Sequence, residues 1–99
     1  MVDHLRSDLS VKTLARRCGM SPRHFARVLT TEKGITPARL VEQIRVDAAR
    51  ALLEGTKEGL KEVAARTGFG SADSMRRSFL RVLGVAAGEY ARRFRAQSA

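Results

Sequence analysis

Val63-Ala64-Ala65-Arg66-Thr67-Gly68-Phe69-Gly70-Ser71-Ala72-Asp73-Ser74-Met75-Arg76-Arg77-Ser78-Phe79 decides the reading of this chain, because an earlier stretch says the same thing. Leu14-Ala15-Arg16-Arg17-Cys18-Gly19-Met20 matches its start, and Phe25-Ala26-Arg27-Val28-Leu29 matches Met75 to Phe79. Val63 and Gly68 stand 49 residues after Leu14 and Gly19, whereas Met75, Phe79 and Gly84 stand 50 after Phe25, Leu29 and Gly34. The second copy therefore holds one extra residue, around Gly70-Ser71, and a loop absorbs such a residue better than a helix does. Each copy reads as a short helix, a glycine turn and a second helix carrying arginine, which is the outline of a helix-turn-helix.

The capping and breaking residues on either side predict seven helices. A short one precedes Ser7. The second follows Ser10, a good N-cap, and ends near Cys18 because Gly19 supplies a positive-φ stop. Ser21-Pro22 opens the third, which runs to Lys33 before Gly34. Thr36-Pro37 opens the longest, to about Leu53, with Leu40, Val41, Ile44, Ala48, Ala51 and Leu52 recurring at three and four as its apolar face. Residues 55–59 read as a loop, Leu60 to Thr67 as the fifth helix and Ala72 to Val82 as the sixth, capped by Ser71. A last helix with Tyr90 and Phe94 follows Gly84. Alternating apolar patterns that would argue for strands are absent.

The 99 residues carry a net charge of +9, with 43% hydrophobic residues. That is enough apolar matter for a packed interior, and a domain this basic points first to a polyanion. No apolar run approaches the roughly 20 residues of a spanning helix, and no secretory signal follows the N-terminus. Cys18 is the only cysteine, so internal disulfides and cysteine-pair zinc sites are excluded, and a reducing cytoplasm fits. Aligned with Thr67 just before the turn glycine, Cys18 is expected to be small, semi-buried and inert. An enzyme finds little support: Cys18 and His24 fall on different helices with no third orienting group, His4 and His24 lack metal-ligand spacing, and Gly68-Phe69-Gly70 is no phosphate cradle. A membrane-surface module would need an exposed apolar face, and a single-stranded RNA binder would show stacking aromatics. Two helix-turn-helix outlines in one basic chain point to double-stranded DNA, and a salt titration with specific and scrambled duplexes separates it from these alternatives.

A step of 100° per residue puts Phe25, Val28 and Leu29 on one face of the third helix, with Arg23 and Arg27 opposite. On the sixth helix Met75, Phe79 and Val82 face inward, Asp73 and Arg77 outward, Ser74 and Arg81 flank that face, and Arg76 lies on its other side. An outward arginine at the same place in both copies suits guanine O6 and N7 in the major groove. Asp73 is expected to cap the helix or orient a neighbouring arginine, and Leu80 to pack on the last helix rather than touch a thymine methyl. Helix starts at Ser21 and Ser71 suit phosphate oxygens, and the scattered cations, from Arg16 to Arg95, are expected to be mostly solvated.

From about Leu9 to Phe94 the chain resembles the DNA-binding domain of AraC/XylS-type bacterial transcription regulators. The resemblance rests on Leu14-Ala15, Gly19-Met20-Ser21, Phe25, Gly34, Thr36-Pro37, Arg45, Ala49, Leu52-Leu53, Val63-Ala64, Gly68-Phe69, Ser71, Arg77, Phe79, Gly84 and Tyr90. Met20-Ser21-Pro22-Arg23-His24-Phe25 is most similar to the branch with an amidase-like N-terminal domain. The resemblance implies an all-α fold of seven helices with two homeodomain-like units, residues 1–36 and 55–99, joined by a linking helix at 37–54. It implies that reading helices at about 22–33 and 72–82 enter successive major-groove segments. It places base contacts on Arg23, Ala26, Arg27, Asp73, Ser74 and Arg77, and the phosphate contacts expected are Ser21, His24, Ser71, Arg76 and Arg81. Arg45 falls on a position that is usually structural. Met75 stands where an aromatic is usual, Leu80 where a basic residue is common, and Val85-Ala86-Ala87 lacks the usual serine-proline cap. Neither cofactor nor metal is implied. The partners implied are double-stranded DNA, RNA polymerase and a small-molecule effector acting only through an N-terminal domain outside these residues. The expected setting is cytoplasmic and nucleoid-associated, and the chain is expected to be an excised piece of a longer regulator.

Overall fold

The computed structural model describes residues 11–98, with side chains as far as Arg95. Among the described residues there are six helices and no strand. They are α1 (Val11–Arg17), α2 (Pro22–Lys33), α3 (Pro37–Gly55), α4 (Leu60–Arg66), α5 (Ala72–Leu83) and α6 (Ala87–Ser98). The helix expected before Ser7, and Ser10 as a cap, lie outside the described residues.

Local chemistry fixes the boundaries. Ser21, Thr36 and Ser71 adopt extended N-cap backbones, and their side-chain oxygens accept hydrogen bonds from the N–H groups of His24, Arg39 and Ser74. Each cap satisfies one of the helix-start donors that would otherwise lack a partner. Pro22 and Pro37 sit in the first turns, where a missing N–H is harmless. The one-residue offset between the copies also has a backbone cause. Met20 N–H donates to Ala15 and Phe69 N–H to Ala64, so both turns start alike. The first then needs one left-handed residue, Gly19 (φ 69°), whereas the second uses two, Gly68 (φ 86°) and Gly70 (φ 83°). Gly70 is the inserted residue, and side chains other than glycine rarely adopt its conformation.

The main core belongs to the second half. Val46, Ala49 and Leu53 of α3 meet Val63 and Ala64 of α4, Met75 and Phe79 of α5, and Ala87 and Ala91 of α6. In the first half, only Ala15 and Phe25 are buried among the described residues. α1 packs against α2 and α3, while α3 also touches α4, α5 and α6. This dual duty corrects the expected apolar face of the linking helix. Its fully buried stripe is Val46-Ala49-Leu53; Leu40, Val41, Ile44, Ala48 and Leu52 are half-buried and Ala51 is exposed. A helix covered from several sides carries apolar residues around much of its girth, so spacing alone does not pick the deepest stripe.

Cys18 is also corrected. It is exposed, whereas its counterpart Thr67 is fully buried and donates its hydroxyl to the Val63 carbonyl at 2.7 Å. The second turn is walled by a core with contributions from α3 and α6, and the first has no such wall among the described residues.

The end of α3 is tied to α6 by polar contacts. Arg95 donates to the carbonyls of Leu53, Thr56 and Glu58, at 3.4, 3.1 and 2.9 Å. The Tyr90 hydroxyl donates to the Glu54 carboxylate. Burial, with that hydrogen bond and the adjacent negative charge, pushes the phenol up to about 12. Tyr90 also packs tilted on Phe79, ring centres 5.9 Å apart, and stacks on Phe94 at 6.3 Å. The weakly capped last helix is thus held by its side chains. The Cα envelope measures 46 × 24 × 21 Å.

Candidate nucleic-acid interface

The two arginine-bearing helices start in the same way. His24 N–H lies 3.1 Å from Ser21 Oγ and Ser74 N–H 3.1 Å from Ser71 Oγ, 50 residues later. Both serines remain exposed, with hydroxyl hydrogens left to donate. Both helices end at a left-handed glycine, Gly34 and Gly84, whose N–H closes on the carbonyls of Thr30 and Leu80. The Phe25 face and the Met75-Phe79 face point inward.

On the outward side of α2, Arg23, His24 and Arg27 are exposed and Ala26 is half-buried. Arg27 makes no ion pair with another described residue. On α5, Arg77 keeps 63% of its side chain exposed, with Nε 3.4 Å from Asp73 Oδ2. Arg76 donates to Asp73 Oδ1 from Nε at 3.2 Å and from a terminal nitrogen at 2.9 Å. The Arg76 hydrogen bonds and charge, with Arg77 adding to them, hold the Asp73 carboxyl below its ordinary range. Ser71 supplies the cap, and Asp73 instead pairs with the two neighbouring arginines, Arg76 and Arg77. Ser74 is half-buried beside it.

Arg81, expected among the phosphate contacts, has a protein partner as well. Its Nε and a terminal nitrogen lie 2.9 and 2.8 Å from Glu42 Oε2, and half of its side chain stays exposed. Leu80 is corrected more plainly. At 43% exposure it is the large hydrophobic residue left exposed among the described residues, where packing on the last helix was expected to cover it. Its place, three residues past Arg77, sets it on the outward arc of α5. Several cations expected to be solvated are also engaged: Arg39 with Glu42, Arg66 with Glu58, Arg93 with Glu89, and Arg95 with backbone carbonyls. Arg45 is half-buried, with its Nε shielded and without a hydrogen-bond partner.

Glu42 and Ser78 are the residues that sequence reasoning missed. Glu42, on α3, is only 12% exposed in its side chain. It accepts from Ser78 Oγ at 2.8 Å, from Arg39 at 2.9 Å and from Arg81. Burial opposes its charge, but the hydrogen bonds from Arg81, Ser78 and Arg39 outweigh it and hold the carboxyl below its ordinary value of 4.5. A carboxylate depressed by folding stabilises the fold above its unfolded value and loses that contribution as pH falls through the folded value. The stability gap between the parent and Glu42→Gln is therefore expected to hold steady from neutral pH to about pH 5 and to close below that. Urea unfolding across pH checks this, and a gap that widens on acidification contradicts it. The serine, polar on the otherwise apolar inward face of α5, was the one local signal. The 36 residues separating it from Glu42 carried none.

No helix is long and apolar enough to cross a membrane, and no cluster of potential metal ligands occurs among the described residues. The exposed chemistry is cationic, carried on two capped helices that follow glycine turns, and this defines a double helix-turn-helix protein. The family described as "Helix-turn-helix domain" matches residues 14–93. The chain belongs to this family, as a transcription-regulator DNA-binding domain of the AraC/XylS type, a class of binding domains and not of enzymes. It is 51% identical over 81 residues to the HTH-type transcriptional regulator Rv1931c of Mycobacterium tuberculosis, a match over 82% of this chain and 31% of that protein. It is 34% identical over 79 residues to the transcriptional activator RhaS of an Enterobacter species, covering 80% of this chain and 28% of that one. The chain thus spans just under a third of these relatives. Among solved structures it resembles the DNA-binding domain of AdpA in complex with a target DNA, with a TM-score of 0.80, 36% identity, and coverage of 97% of this chain and 86% of that one. A DNA-binding transcriptional dual regulator from Escherichia coli K-12 shares the fold at a TM-score of 0.80 and 22% identity, over 94% and 83% of the chains.

Proposed function

We propose that both units read one DNA duplex, with α2 and α5 in neighbouring major-groove segments. The observation that carries this is the pair of exposed arginines, Arg27 and Arg77, at repeat-equivalent places on helices with matching caps. Residues 1–36 act as the first reading unit, 37–54 as the linking helix and 55–99 as the second unit. Arg27 and Arg77 pair with guanine edges, Arg23, Asp73 and Ser74 take adjoining bases, and Ala26 offers a methyl contact to thymine. Ser21, His24, Ser71 and Arg76 set register on phosphates, and Arg81 adds the exposed part of its guanidinium. The 46 Å long axis accommodates two insertions one helical turn, about 34 Å, apart. The resemblance to a domain solved on its target DNA supports the reading.

On this reading the domain works in the cytoplasm at the nucleoid. RNA polymerase would be met at the promoter, and an effector would act through parts of the regulator beyond these residues. Selecting bound duplexes from a random pool tests the proposal. Two conserved half-motifs whose centres lie about one helical turn apart are expected. A single short motif would mean that one unit alone reads bases.

A further inference from the structure

We propose that Glu42 is a positioning residue for DNA reading, a strut from the linking helix that fixes the rotation of the second reading helix and so sets where Arg77 points. This rests on the two-unit reading above. The strut's two attachments on α5, Ser78 and Arg81, lie one residue and one helical turn past Arg77. A helix pinned at both is not free to roll about its axis, and bidentate recognition of a guanine edge tolerates little roll. Glu42 is nearly buried, and Arg39 on its own helix holds the carboxylate from the other side. Its anchor is therefore fixed before DNA arrives.

Electrostatics make the assignment sharper. A carboxylate among arginines beside a polyanion weakens attraction to phosphates and occupies two cations that could otherwise neutralise them. Such a residue lowers general affinity, so what it contributes is geometry. Among the described residues, the first unit has nothing comparable. Val28 and Thr31 occupy the places of Ser78 and Arg81, and neither bonds to α3. The second unit is accordingly the stricter reader, and the first adapts its angle to the duplex.

The test compares the parent with Glu42→Gln, and with Ser78→Ala as a milder cut of the same strut, on the duplex selected from the random pool and on a scrambled one. Circular dichroism and urea melts establish folding first. For Glu42→Gln, preference for the selected over the scrambled duplex is expected to fall by about 5- to 150-fold, the weight of one misread base pair. The loss should appear as tolerance of changes in the second half-motif, with the first half-motif read as before. Binding to the scrambled duplex should tighten, and the slope of log affinity on log salt should steepen by up to about 2 as Arg39 and Arg81 turn to phosphates. Ser78→Ala should relax the second half-motif without changing that slope. A merely structural role would lower stability and leave discrimination and salt slope alone; that result overturns the inference while the two-unit reading stands. A parent that fails to prefer the selected duplex overturns the reading itself.

Discussion

Phe79→Ala is expected to cost about 3–5 kcal/mol of folding stability, a large share of the roughly 5–15 kcal/mol that a domain of this size commands. Phe79 is fully buried and is the largest such side chain among the described residues. It joins α5 to the core formed with α3, α4 and α6, and its ring meets Tyr90. Truncation removes transfer energy and leaves a cavity whose wall, built from four helices, has little freedom to collapse. Urea unfolding measures the loss. Phe25→Ala, at the thinner first unit where Phe25 retains 8% exposure, should cost less. A larger loss at Phe25 than at Phe79 would contradict the placement of the main core.

Arg77→Ala is expected to weaken binding to the preferred duplex by about 1–3 kcal/mol and to relax base choice within one half-motif. Binding to a scrambled duplex should change far less, because the term removed is a base contact. Arg27→Ala should do the same in the other half-motif. The two differ in preparation. Arg77 is presented by Asp73 and by a helix pinned through Glu42, whereas Arg27 has no ion-pair partner among the described residues. Fluorescence anisotropy on both duplexes at two salt concentrations separates the terms. Equal losses on both would reduce these arginines to phosphate contacts.

Much of this was legible in the order of residues because its signals are local. Ser21-Pro22, Thr36-Pro37 and Ser71 announce helix starts, and they cap helices as expected. The shift in repeat offset located an inserted turn residue, and Gly70 carries it in a left-handed conformation. The outward set on α5 followed from 100° per residue. What stayed hidden depends on contacts far apart in the chain. Cys18 and Thr67 align and share a backbone turn, yet one is exposed and the other buried, because only the second turn is built into the main core. Val46, Ala49 and Leu53 were lost among the many apolar residues of a helix that serves two units. Leu80 does not follow Phe79 into the core, since the step of one residue turns it outward. Glu42 carried no local mark of its role, for its partners on α5 lie 36 and 39 residues away.

The two reading helices are proposed to occupy neighbouring major-groove segments on one face of the duplex. Guanine N7 methylation interference on the selected duplex tests this placement most directly, because the methyl group blocks the major-groove edge that Arg27 and Arg77 are assigned to read. Two interfering clusters about 10–10.5 base pairs apart are predicted, with Arg27→Ala erasing one and Arg77→Ala the other. One cluster alone, or two separated by half a turn and so on opposite faces, would contradict it.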